Sequence, residues 1–435
     1  MNRREYLSLT ASGAITVLSG CTGSADPAET HSDSDAWPLH AHDAANSNHV
    51  PAAVGPRTEP DVEWTRTVTE NRRYSYNAPS PVVVDGTVYA GGDGLFALDA
   101  ADGSIEWRTM TDEAVYGPAV VGETVYAGSS QGERSRVRAF DADEGTVRWS
   151  FEDRLKGPRF RPAIVTDETV YSTVNYGNER PSTPSDGRLV ALAVDDGEKR
   201  WSLSLEGSRN PPPAVSGTEV HVAGTEDSHA CAVGSRQGPI DDLFDGSPDR
   251  NWRSDALISP EVPPAVADDT VYYGDRDLST SVVDGVPSIE IHALSTDNGS
   301  VEWHEPLGFD VPTPSVTDDR VYVTNTVRAA DDSDTGDSTS NVIVAAYGHD
   351  GTRHWETILG DRSGWASPVS TAETLYVATT SSGRDGSDPR IHAFNRDDGT
   401  VSWTRAVPSS VATLAVAGGS LYAASWDGTV VALGN

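Results

Sequence analysis

The chain has 435 residues, 37% of them hydrophobic, with 40 glycines, 27 prolines and a formal net charge of −34. Such a turn-rich, acidic composition argues against a helical fold and against nucleic-acid binding through a basic face, and two cysteines provide no disulfide framework. Apolar, Gly/Pro-punctuated runs continue to the C-terminus, so the charge does not signal disorder.

Only Lys156 and Lys199 among the 32 basic residues are lysines. Acid excess with so little lysine suits a surface adapted to molar salt, where repulsion between carboxylates is screened over roughly 3 Å. A halophile is expected, of haloarchaeal type.

Residues 1–21 read as a targeting segment. Arg3 and Arg4 precede a short apolar run from Leu7 to Leu18, and Leu18-Ser19-Gly20-Cys21 closes it. The paired arginines resemble a Tat signal, and the last four residues resemble a lipobox whose Cys21 becomes a lipidated first residue; a plain cleaved signal is the alternative. The apolar run is too short for a stable membrane span. Residues 22–36 are small, polar and acidic, as expected of a disordered tether. Cys231, the other cysteine, reads as a small buried strand residue. His40 and His42 lack an evident third ligand, so they read as part of an opening strand region and not as a metal site.

From residue 37 onward a repeat takes over. Trp64, Trp107, Trp149, Trp201, Trp252, Trp303, Trp355 and Trp403 lie 43, 42, 52, 51, 51, 52 and 48 residues apart. A period of about 40–50 residues is that of a four-stranded propeller blade. Within the first period, "APSPVVV" from Ala78 precedes an Asp85-Gly86 turn, a second strand, "TVYAGG", begins at Thr87, "LFALDA" forms a third, and Asp102-Gly103 leads into "SIEWRT". Both Asp-Gly pairs are hairpin signals. First strands recur near residues 117, 161, 212, 263, 312, 366 and 412, making eight. The last repeat lacks its own Trp strand, and the strand around Trp64 is an orphan. Strand 61–67 is therefore expected to complete the eighth blade and close the ring. The fold class is all-β: an eight-bladed β-propeller of four-stranded blades spanning 37–435.

The undecapeptide Ala97-x-Asp99-x-x-x-Gly103-x-x-x-Trp107 recurs at 139–149 and 191–201. Each position has a packing role: Ala97 is small where strands crowd, Asp99 bonds turn amides, Gly103 supplies positive φ, and Trp107 stacks on the next blade. The pattern resembles the tryptophan-docking motif of the PQQ-like (pyrroloquinoline quinone) repeat family, which holds quinoprotein dehydrogenases and BamB-like assembly lipoproteins. The resemblance covers nearly all of 37–435. Later copies depart from it: the third position is Ala193, Ser295, Tyr347 and Asn395, and the fourth copy carries an insertion before Trp252. "WPLHAHDAANSNH" from Trp37 looks like the opening strand segment common before such propellers.

Function is expected on the face where segments enter the first strands. Arg72, Arg73, Tyr74, Tyr76, Lys156, Arg159, Arg161, Arg209, Arg362 and Trp365 all lie on such entries. Converging arginines and aromatics point to an anion or peptide site, while pairing with nearby Asp and Glu is the structural alternative. The second-to-third-strand loops at 174–187, 275–288, 326–340 and 380–389 vary most in length, as binding loops do. "DDSDTGDS" at 331–338 lacks the spacing and distal Glu of a calcium loop. The function expected is a non-catalytic, lipid-anchored binding or scaffolding platform outside the cytoplasmic membrane. Its partner would be an unidentified cell-surface protein or peptide; it would be monomeric, bind no nucleic acid and need no cofactor. The alternative is a PQQ-dependent dehydrogenase oxidising alcohols or sugars. The resemblance would then require calcium, a general-base Asp and, typically, two adjacent cysteines, which this chain lacks.

Overall fold

The structure, a computed structural model, describes residues 35–51, 54–69, 80–110, 112–131, 134–153, 158–176, 186–206, 210–225, 229–234, 248–257, 262–274, 289–308, 311–328, 340–382 and 388–435. The signal segment with Arg3, Arg4 and Cys21 lies outside these residues, as do Arg72, Arg73, Tyr74, Tyr76, Lys156, Arg209 and most of the long second-to-third-strand loops. The expected tether begins outside them too, but its last two residues, Asp35 and Ala36, already belong to the folded body: the Asp35 carbonyl accepts the Gly418 amide at 3.3 Å.

The fold is an eight-bladed β-propeller. Blades 1 to 7 span 82–109, 119–153, 164–206, 214–257, 265–308, 315–359 and 369–406, each a four-stranded antiparallel meander. Blade 8 takes three strands from the C-terminus, Val411–Ala417, Ser420–Ser425 and Thr429–Gly434, and its outermost strand, Asp61–Thr67, from the N-terminus. That pairing closes the ring and leaves no blade with a missing strand.

One cross-strand arrangement recurs in every blade. An aromatic residue of the second strand, an alanine of the third and the tryptophan of the fourth lie side by side, as in Tyr89, Ala97 and Trp107. Blades 2 to 8 repeat it around Ala139, Ala191, Ala232, Ala293, Ala346, Ala393 and Ala432. The two rings meet above the alanine, with centroids 5.9 Å apart for Tyr89 and Trp107. A larger residue at the alanine would push them apart, which is why the position stays small. Blade 4 alone uses His221 in place of tyrosine, 5.9 Å from Trp252.

Most of these indoles also reach beyond their own blade. Trp107 Nε1 donates to the Ala142 carbonyl at 2.8 Å, and Trp64, Trp149, Trp303 and Trp355 make the same bond to Ala100, Val194, His349 and Arg396. The glycine of the next motif lies under the ring: a Cβ on Gly103, Gly145, Gly197, Gly299, Gly351 or Gly399 would stand under 3.0 Å from an indole carbon. In blade 8 the chain ends replace the last turn, and Trp403 bonds to Pro56 of the N-terminal stretch instead. Blade 6 corrects one reading of the motif. Ala346, nine residues before Trp355, is its cross-strand partner, so Gly348 and not Tyr347 opens the turn, which is one residue shorter than in the other blades.

Candidate functional site

The first strands line the axis, and the chain itself fills the space between them. Residues 35–50 do not form the opening strand that their sequence suggests. They wind around the axis and bond to one inner strand after another. The Trp37 amide and carbonyl pair with Val83 of blade 1 at 2.8 Å. The carbonyls of Pro38, Ala44, Ala45, Ser47 and Asn48 then accept the amides of Val120, Val215, Val266, Val316 and Ser370, on blades 2, 4, 5, 6 and 7. His49–Val50 finally runs parallel to Ser370–Thr371. A segment that must serve several radially arranged partners cannot hold one strand geometry. It turns instead, with His42, Asn46 and Asn48 at positive φ, a conformation that Asn tolerates better than most residues.

Polar side chains fix this axial plug. Fully buried Asn46 donates through Nδ2 to the carbonyls of Pro213 and Pro264, both at 2.9 Å, tying blade 4 to blade 5. Asn48 Nδ2 reaches the Pro314 carbonyl at 3.2 Å. Burial pushes the Asp43 carboxyl up, but bonds from His42 and Ser47 and the charge of His42 prevail and hold it low. His40 bonds Ser80 Oγ at 3.1 Å and His49 bonds Ser370 Oγ at 2.8 Å. Both are held down to about 4, His40 by burial and the Arg161 charge, His49 chiefly by burial and the Arg396 charge. At neutral pH His40 and His49 are thus neutral.

The channel's mouth lies at the end where first strands begin. There a pocket of about 120 Å³ is lined by His40 and Asn48 of the plug, Thr313 of blade 6, Trp365 and Ser367 on the entry to blade 7, and Thr413 of blade 8. Trp365 is 50% exposed, and Trp426, in the second-to-third-strand hairpin of blade 8, is 42% exposed. The Trp426 amide bonds the Ser410 carbonyl beside the entry to the same blade. Two large aromatics thus stand open on neighbouring blades of one face.

Of the residues expected to converge here, the structure describes Arg159, Arg161, Arg362 and Trp365. Trp365 lines the pocket and Arg161 faces His40 electrostatically. Arg159 lies on Pro158–Phe160, a short strand paired with Val174–Tyr176, and its side chain is outside the described residues. Arg362 is engaged in an ion pair with Asp388 at 2.7 Å, where Arg390 also binds. Sequence reading missed Trp426 and the axial asparagines. Exposure of the first depends on a hairpin position, and the second pair sits in a segment without strand or helix periodicity.

A quinone with calcium does not fit the described axis. The plug occupies it, its carboxylate Asp43 is engaged by His42 and Ser47, and its asparagine amides serve proline carbonyls. Among the described residues no group of three His, Cys, Asp or Glu converges as metal ligands do.

The relatives found by comparison with known proteins include a BamB and a quinohemoprotein dehydrogenase. BamB, the outer membrane protein assembly factor of Salmonella typhimurium, is 26% identical over 394 residues, 86% of this chain and 88% of that protein. Quinohemoprotein alcohol dehydrogenase ADH-IIG of Pseudomonas putida is 26% identical over 255 residues, 52% of this chain but only 32% of the enzyme's length. In structure, BamB from Moraxella catarrhalis superposes with a TM-score of 0.58 at 17% identity, covering 87% of this chain and 99% of its own. The Pseudomonas putida dehydrogenase gives 0.62 at 12% identity, covering 92% and 80%. Such low identities in structure establish the fold alone. The family described as outer membrane protein assembly factor BamB matches residues 48–303 and 340–434, and the chain belongs to that PQQ-like propeller family.

Proposed function

We propose that this protein is a non-catalytic propeller, held outside the cytoplasmic membrane by lipid on Cys21, that serves as a binding or scaffolding platform. The observation that carries this reading is the plug: the axis is filled by the chain's own residues 35–50, bonded to blade after blade. A filled axis makes the ring rigid and leaves function to its surface, where Trp365 and Trp426 stand exposed. Half-exposed aromatics on a rigid scaffold are the anchors that interfaces use. The BamB relative, an assembly factor over nearly its whole length, supports a platform over an enzyme.

Calorimetric titration of the purified chain with PQQ and calcium in molar salt, beside a dye-reduction assay on alcohols and sugars, tests this proposal. No heat and no turnover is the expected result. Saturable binding with turnover would make the protein a dehydrogenase instead.

A further inference from the structure

The path of the plug gives the propeller a direction. One face carries the hairpin turns that end the first strands, such as Asp85-Gly86, and the motif turns before the tryptophan strands, such as Ala142–Gly145. The opposite face carries the entries to the first strands and the second-to-third-strand connections. Asp35 lies on the turn face, its carbonyl on Gly418 in the tight turn between Val411–Ala417 and Ser420–Ser425. Trp37 follows beside the turn of blade 1, paired with Val83. Only then does the chain rise to the entry face, where His40 meets Ser80 and Asn46 meets Pro213 and Pro264. It comes back to the turn face by Pro56, which accepts Trp403.

We propose that the propeller stands on the membrane with its turn face toward the bilayer and its entry face, with Trp365 and Trp426, turned outward. This rests on the lipid anchor proposed for Cys21. Asp35 lies fourteen chain steps after Cys21, so the two cannot be more than ~50 Å apart, and a freely coiling chain of that length spans ~20 Å. With the turn face down, that span suffices. With the entry face down, the link must cross the turn face from the inner strand of blade 8 to the rim and then descend the side wall. Three strand spacings and an eight-residue strand make that path ~40 Å. It would hold the link close to full extension. The turn face is also ringed by carboxylates, among them Asp102, Asp143, Asp297 and Asp398. Their repulsion from anionic headgroups is short-ranged in molar salt.

The test uses the full-length lipidated chain in vesicles at molar salt, with two single-site variants of blade 2. Asp143→Cys lies in an exposed motif turn, and Gln131→Cys is exposed at the second-to-third-strand end of the same blade. Native Cys231 is buried and stays unlabelled. Energy transfer from a thiol-bound fluorophore to acceptor lipid is expected to be at least about twofold greater from position 143, since the strand between them is ~25 Å long. Equal or reversed transfer would overturn the orientation. Cys21→Ala, fractionated in parallel, tests the anchor separately. Its release from the membrane supports the anchor, and its retention would overturn the anchor and this orientation with it.

Discussion

Trp107 of blade 1 lies flat against Gly145 of blade 2: a Cβ on the glycine would stand 2.6 Å from the indole Cε3. Gly145 also has φ +65°, so a side chain is disfavoured there twice, by backbone and by contact. Gly122, in a turn with φ +56°, has nothing within 4 Å of such a Cβ. Gly122→Ala is expected to cost ~1 kcal/mol for the backbone alone, and Gly145→Ala ~1–3 kcal/mol more for the displaced ring. Denaturant midpoints in molar salt compare the two. Equal losses would mean that the indole is not held against the glycine.

Trp107→Ala removes the ring and its bond to Ala142. The expected loss is ~3–5 kcal/mol, as for other large aromatics truncated in packed sites. Trp107→Phe keeps most of the ring and should lose less, leaving the Ala142 carbonyl without its donor. Chemical unfolding of both variants measures the difference, and unchanged unfolding of the alanine variant would refute the packing account of the motif.

Asn46→Ala strips two carbonyls, of Pro213 and Pro264, of their shared donor inside the channel. Each such group costs ~1–3 kcal/mol when left buried and unpaired. The variant is expected to unfold earlier by thermal denaturation, and Asn46→Asp earlier still, because its carboxylate would face two carbonyl oxygens. Full retention of stability in both would show that the plug does not brace the blades.

Four histidines, His40, His49, His221 and His392, are held down to about 4 in the fold, burial being the first cause in each. Between about 4 and the ordinary value near 6.5 the unfolded chain binds more protons, so stability is full above pH ~6.5 and falls as pH drops toward ~4. For fully buried His221 and nearly buried His392 the slope approaches ~1.4 kcal/mol per pH unit each. Among the described residues, neither ring nitrogen of His221 has a hydrogen-bond partner. His221→Tyr restores the aromatic that the other blades use, with Thr296, which already accepts Trp252 Nε1, as the carbonyl within its reach. It is expected to raise the thermal midpoint and flatten the acid limb between pH 4 and 6.5. A steeper limb would contradict the burial argument.

With a net charge of −34, self-repulsion acts across a Debye length of ~10 Å at 0.1 M salt but only ~3 Å at 1 M. The unfolding midpoint is expected to rise steadily with potassium chloride over this range. A salt-independent midpoint would detach the acidic surface from any adaptation to brine.

The propeller was legible in the sequence because its determinants are local and repeated. Asp99 caps its own turn through the Ala101 amide at 2.7 Å, Gly103 takes a positive φ in that turn, and the tryptophan period counts the blades. Even the ring closure by 61–67 followed from one missing strand and one spare. What residues 35–50 do was not legible, since their partners are backbone groups up to about 380 residues away around the ring, and backbone groups carry no sequence signature. The candidate site was only partly legible for the same kind of reason. Trp365 lies on an entry segment, which its position in the repeat reveals. Whether an arginine points to the funnel or to a neighbouring carboxylate, as Arg362 does to Asp388, depends on which loop stands beside it, and three-dimensional packing alone decides that.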